Sequence, residues 1–152
     1  MVSFVQALRD AVADEAPVSV SLTHLERFTH HPTMYYAVER SESLQRLHEN
    51  VLSVVKEHRE RDYTGYYRKA QGRAGLLLRV YGSEYVLERF LPHLSLTRHD
   101  GNKEKFALLW NEEPTAPPEA FSVNKLTLLR LEPDGTWSEC ETIPFDSSLK
   151  RS

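Results

Sequence analysis

Cysteine occurs once in the 152 residues, at Cys140. A single thiol closes no disulfide framework and builds no cysteine-based zinc site. Long apolar runs are missing as well, and no stretch approaches the length of a membrane-spanning helix. The glycines number six, and Gly72 and Gly75 lack the following Gly-Lys-Ser/Thr that a phosphate loop needs. Strong charge of either sign is absent too: 19 Lys and Arg against 22 Asp and Glu leave a formal net charge of -3. That balance excludes a global electrostatic footprint for nucleic acid, so any such contact has to be local. The opening MVSFVQALRDAVADEA mixes Arg, Asp and Glu with apolar residues, unlike a secretory signal. What is present, 40% hydrophobic and 27% charged residues, suits one soluble domain over residues 1–152 with a real core. The expected compartment is cytoplasmic or nuclear.

Periodicity sets the order of elements. Phe4, Val5, Leu8, Ala11 and Val12 make an apolar stripe at helical spacing, with Ser3 and Gln6 as a capping box and Pro17 as the stop. VSVSL alternates Val18, Val20 and Leu22 against Ser19 and Ser21, the pattern of a strand with one wet face. TMYYAV reads as a second strand. Ser41 then caps an amphipathic helix whose buried side is Leu44, Leu47, Val51, Leu52, Val54 and Val55. Acids lead it (Glu39, Glu42) and bases trail it (Lys56, His58, Arg59, Arg61), as the helix dipole favours. A polar loop, YTGYYRKAQGRAG, runs into a short helix near 67–80. Late in the chain FSVNKLTLLRL and TWSECETIPF form two strands, with Glu132-Pro133-Asp134-Gly135 as their hairpin. Residues 146–152 read as a frayed tail. Strands joined by hairpins and by helical crossings imply an α+β domain, with helices on one side of a mainly antiparallel sheet.

One stretch carries chemistry. In FLPHLSLTRHD, residues 90–100, alternation puts His93, Ser95 and Thr97 on one face and Leu94 and Leu96 on the other. The leucine face looks made for a core. The other offers an imidazole and a hydroxyl two residues apart, or else is merely a wet strand surface. Strict alternation also puts Arg98 opposite His93, so it joins that face only if the strand ends or bulges after Leu96.

His93-Leu94-Ser95-Leu96, preceded by Pro92, resembles the second signature of the two-histidine phosphoesterases, the superfamily of 2'-5' RNA ligase-like proteins and cyclic phosphodiesterases. SVSLTHLERF, TMYYAVERSESLQRLHENV, YGSEYVLERF and FSVNKLTLLRL stand around it in the family's order, and the resemblance extends from Met1 to Phe145. It implies a bilobal fold in which each lobe brings one His-x-Thr/Ser to a cleft. It also implies metal-independent acid/base opening of a 2',3'-cyclic or 2'-5' phosphodiester, with no cofactor. Imidazole, with an unperturbed pKa near ~6.5, can give or take a proton at neutral pH. On this resemblance His93 is the acid or base, Ser95 the phosphoryl hydrogen-bond donor, and Arg98 a phosphate ligand, a role that suits guanidinium. RNA ends or small nucleotides are the implied partners.

The family's first motif lies on a strand ahead of the helix that begins here at Ser3. Relative to the family the chain therefore looks N-terminally truncated, with one secure motif. An impaired enzyme is expected, or alternatively a non-catalytic RNA-end or nucleotide-binding module, and an unpaired sheet edge suits a homodimer. His31-Pro32-Thr33-Met34 also spells His, any residue, Thr, apolar, although Pro in the middle position suits a strand entrance better than its interior. Arg68, Lys69 and Arg73 among tyrosines in YTGYYRKAQGR offer stacking and phosphate contacts, diluted by Glu57, Glu60 and Asp62. His48 sits at the edge of the amphipathic helix's apolar stripe. Cys140 is expected as a small buried apolar residue of the last strand.

Overall fold

The first apolar stripe folds as α1 (Phe4–Val12), and half of the capping box forms. The Gln6 backbone N–H donates to Ser3 Oγ at 3.1 Å. The Gln6 side chain does not return to Ser3; its Nε2 donates forward to Asp10 Oδ1 at 2.8 Å. The helix closes at Ala13, ahead of Pro17, so the proline follows the stop and does not make it. The computed structural model describes residues 3–28, 33–58, 71–98 and 120–145. His30, His31, the tyrosine-rich loop over 62–70, His99, Asp100, the NEEPTAPPE segment and the tail over 146–152 lie outside the described residues.

The chain divides into two compact units, one of Met1–Val18, Glu42–Phe90 and Ser122–Ser152, the other of Ser19–Ser41 and Leu91–Phe121. The described strand pairs within them are antiparallel, so the α+β reading holds. Two short strands, β1 (Val18–Val20) and β5 (Phe121–Val123), fall where the chain passes from one unit to the other.

The first unit contains α1, α2 (Glu42–His58), α3 (Gly72–Tyr81) and the hairpin of β6 (Lys125–Leu131) and β7 (Trp137–Pro144). On α2 the buried positions are Leu47, Leu52 and Val54, while Leu44, Val51 and Val55 are half-buried. Leu52 packs with Leu77 of α3 and with Val86, and Tyr81 and Leu87 close over them. Gly82 ends α3 in the left-handed region at φ 81°, its N–H returning to the Leu78 carbonyl, a conformation that costs glycine nothing. Glu15 is buried beside α2, where Arg46 Nε and Nη2 each donate to it at 3.3 Å and Asn50 Nδ2 at 2.9 Å. A carboxylate can be held away from water only with partners of this kind. The Pro-Asp-Gly turn folds as expected, with Gly135 at φ 84° donating to the Glu132 carbonyl. Cys140 is exposed, not buried. The β6–β7 register skips one β7 residue between the pairs Leu128–Glu141 and Leu129–Glu139, and Cys140 is that extra residue.

A short 3-10 turn (Leu87–Arg89) that periodicity does not announce leads toward the stretch with the candidate histidine. Leu87 has φ 55°, a conformation that costs a branched residue energy. Its N–H donates to His48 Nε2 at 3.2 Å, and the His48 ring stacks on Phe90 at 3.7 Å. His48 is thus a bracket for this turn. A bidentate pair holds the turn to α3: Arg73 Nε and Nη2 donate to the two Glu88 oxygens at 2.5 and 2.9 Å. That pair, chiefly through the Arg73 hydrogen bond, pushes the Glu88 carboxyl down to about 2. Its stabilising contribution is therefore complete above the ordinary carboxylate value and fades as pH falls toward about 2. NMR titration of the Glu88 side chain is expected to show that low midpoint, and Arg73→Ala to return it to the ordinary carboxylate range. Both groups are half-exposed, so little change in overall stability accompanies the shift.

Candidate functional site

The second unit is a three-stranded sheet, ordered β2-β3-β4, of β2 (Leu22–Arg27), β3 (Thr33–Val38) and β4 (His93–Arg98). Burial concentrates on the central strand, where Met34, Tyr35 and Tyr36 are all buried. β4 lies at the edge of this order. Leu94 and Leu96 keep 41% and 48% of their surface accessible, so the leucine face of the motif is not the core that alternation suggests.

Pairing across β3 decides which residues share a face. Ala37 pairs with His93 and Tyr35 with Ser95, but Met34 pairs with Thr97 and Thr33 with Arg98. Between Ser95 and Thr97 β4 therefore carries one residue more than β3, a bulge at Leu96. Thr33, Tyr35 and Ala37 alternate onto one face of β3. Their partners His93 and Ser95 occupy that same face by register. The bulge thus interrupts strict alternation after Ser95, leaving the pairs Met34–Thr97 and Thr33–Arg98 one residue out of step with the first two.

His93 is exposed but held from three sides. Its Nδ1 lies 2.8 Å from the Leu91 carbonyl oxygen, and the rings of Phe28 and Tyr35 meet it edge-on at 5.2 Å each. Those two aromatic rings pack on each other at 4.4 Å. A carbonyl only accepts, so Nδ1 carries the hydrogen and the lone pair of neutral His93 is on Nε2. Among the described residues Nε2 makes no hydrogen bond, and neither does the Ser95 hydroxyl.

The same face holds a group that motif reading missed. Glu26 pairs with Tyr35 across the ladder, and its carboxylate accepts the Tyr35 hydroxyl at 2.5 Å and meets His24 Nε2 at 2.6 Å. Those two hydrogen bonds, Tyr35 first, hold the Glu26 carboxyl below its usual range, so it is an anion throughout neutral and mildly acid pH. His24 Nδ1 lies 3.0 Å from Thr23 Oγ1, and that hydroxyl donates to the Ala37 carbonyl at 3.1 Å. A second bulge gives these residues their place: Leu22 pairs with Val38 and Leu25 with Tyr36, so Thr23 and His24 together face the single residue Ala37. The signal was present in Thr-His-Leu-Glu, since His24 and Glu26 are two apart on one strand. Among the described residues no group of three or more His, Cys, Asp or Glu side chains is placed to hold a metal ion. No helix there is long and apolar enough to cross a membrane.

No curated protein matches the chain. A family model does, over residues 3–135. The matched span takes in α1, the three strands of the histidine face, and β6 up to its turn. By that match the chain belongs to the 2'-5' RNA ligase superfamily, the two-histidine phosphoesterases.

Proposed function

We propose that this chain engages 2',3'-cyclic or 2'-5' phosphodiesters of RNA ends or small nucleotides, with His93 as a proton-transfer group. The observation that carries the reading is the His93 ring itself. Nδ1 is tied to the Leu91 carbonyl, and among the described residues Nε2 makes no hydrogen bond on the face shared with Ser95. Membership of the superfamily supports a phosphoesterase-type function; substrate and direction of reaction belong to the proposal.

In the hydrolytic direction a water attacks phosphorus while the bond to one ribose oxygen breaks. Nε2 of His93 takes the proton from that water or, when protonated, gives one to the departing oxygen. Ser95 Oγ–H donates to a non-bridging phosphoryl oxygen, and a guanidinium at Arg98 opposes the phosphate charge. The Leu91 carbonyl keeps the ring in one tautomer, the orienting role that a hydrogen-bonded second nitrogen plays in other histidine sites.

Binding of a nucleoside 2'-monophosphate tests the reading. Titration is expected to shift the His93 ring resonances saturably, and Ser95→Ala to weaken binding by about 10-fold or more, the equivalent of a hydrogen bond to a charged group. A titration that leaves the His93 ring unmoved refutes it.

A further inference from the structure

Tyr35 is a side chain of the histidine face whose place the proposed reaction leaves unexplained. It is 3% exposed, and its register joins both outer strands: Glu26 is its partner on β2 and Ser95 its partner on β4. His93 stands two residues before Ser95, so it is the diagonal neighbour of Tyr35, within reach of an aromatic ring. The contact is made, with ring centroids 5.2 Å apart and 65° between the ring planes.

The tyrosine hydroxyl is committed elsewhere. A phosphodiester oxygen only accepts, and a phenol has one proton to give. Tyr35 gives it to Glu26 Oε2 at 2.5 Å, a charge-assisted bond of the stronger kind. That bond is the first cause of the lowered Glu26 carboxyl. Glu26 is placed in turn by a second contact, with His24 Nε2 2.6 Å from its Oε1. The phenol is thus pinned at its far end, while its ring lies against the imidazole.

His93 has use for such a wall. An exposed imidazole chooses among three χ1 wells, and its χ2 is broad. The Leu91 carbonyl holds one ring atom, at 2.8 Å, a bond the ring can keep while it tilts. Two aromatic contacts restrict that tilt: Phe28 stands at 84° to the imidazole and Tyr35 at 65°. The two aromatic rings are themselves 4.4 Å apart, so they form one corner, and the Tyr35–Glu26 bond anchors it.

We propose that Tyr35, tethered by Glu26, is a positioning residue for His93, holding the imidazole in the orientation and tautomer that make Nε2 the proton-transfer atom; this rests on the phosphodiester reading given above. Glu26 acts on Tyr35, and Tyr35 acts on the imidazole. The requirement at position 26 is for an acceptor and not for a charge, since the phenol needs only a lone pair.

The test reads the His93 ring directly. In the full chain carrying 15N-labelled histidine, side-chain nitrogen shifts of the neutral ring tell Nδ1–H from Nε2–H, and the His93 signal is assigned by its loss in His93→Asn. Wild type is expected to show Nδ1–H. Histidine free in water favours Nε2–H, so a released ring should drift toward that form. It should do so in Glu26→Ala and in Tyr35→Phe, which keeps the aromatic ring and loses the tether. Glu26→Gln, whose amide oxygen can still accept from the phenol, should restore most of the wild-type signal.

Turnover of a 2',3'-cyclic nucleotide is followed on the same proteins. From lost ring orientation alone, kcat should fall about 10-fold in Tyr35→Phe and in Glu26→Ala, with KM nearly unchanged. The double variant should fall no further, because both changes act through one contact. An Nδ1–H signal that persists in both tether variants overturns the inference and leaves the phosphodiester reading intact. So does a loss in Glu26→Gln as large as in Glu26→Ala, which makes charge the operative feature. A tautomer that shifts while kcat holds also refutes the positioning role. If the tautomer follows the variants but nucleoside 2'-monophosphate leaves the ring unmoved and no cyclic nucleotide is turned over, the positioning stands and the phosphodiester reading falls.

Discussion

Replacing His93 by alanine is expected to lower kcat on a 2',3'-cyclic nucleotide by about 10²- to 10⁴-fold, the range for loss of one general acid or base. Thermal stability should barely change. The imidazole sits on the surface, and its hydrogen bond among the described residues goes to a carbonyl that water can satisfy in its place. That separation of effects is informative. A residue that merely packed against Phe28 and Tyr35 would show the reverse, a lower Tm with ordinary kinetics. Asparagine at position 93 is a useful companion, because its amide can still donate to the Leu91 carbonyl but has no titrating nitrogen. It should fold like wild type and be as slow as alanine. A non-catalytic nucleotide-binding module predicts something else: salt-sensitive RNA binding that persists in His93→Ala, since phosphate contacts dominate such affinity.

Element type was legible wherever a period ran long enough to be sampled. The stripe of α2 spans several turns, and β3 begins and ends where TMYYAV does. The placement of His93 and Ser95 on one face was legible for the same reason, because alternation is a local rule. The bulge at Leu96 was not, since a bulge is a property of pairing with a strand some 60 positions away in sequence. The same reason hid His24. Its spacing to Glu26 is local, but its position across Ala37 from His93 exists only once β2, β3 and β4 are side by side. Cys140 was misjudged through a third bulge, in β7, which leaves a small apolar residue exposed where periodicity implied burial. Leu94 and Leu96 failed for a different reason. Alternation reports which side chains share a face, and says nothing about whether another element covers that face. The turn at Leu87 carries no glycine to advertise its positive φ; His48, 39 residues earlier, supplies the compensating hydrogen bond.

Leu77→Ala is expected to be the most destabilising single change among those considered, at about 3 kcal/mol within the range for buried leucines. Leu77 is 1% exposed and packs between Leu52 of α2 and Val86. Truncation removes the buried methyl groups and leaves a cavity that three separate segments would have to move to close. α3 cannot slide in as a unit, because Gly82 ends it in a left-handed cap and Arg73 ties its start to Glu88. Its neighbour is the control. Leu76 is the same residue on the same helix, but 43% exposed, and Leu76→Ala should stay within about 0.5 kcal/mol of wild type. The three helices among the described residues belong to the first unit, so the far-UV helical signal follows its unfolding. Urea titration followed at that signal should show a lower midpoint with an unchanged slope for Leu77→Ala, as expected when stability falls and the exposed area does not. A midpoint as high as that of Leu76→Ala would mean that Leu52, Leu77 and Val86 do not form the packed centre of this unit.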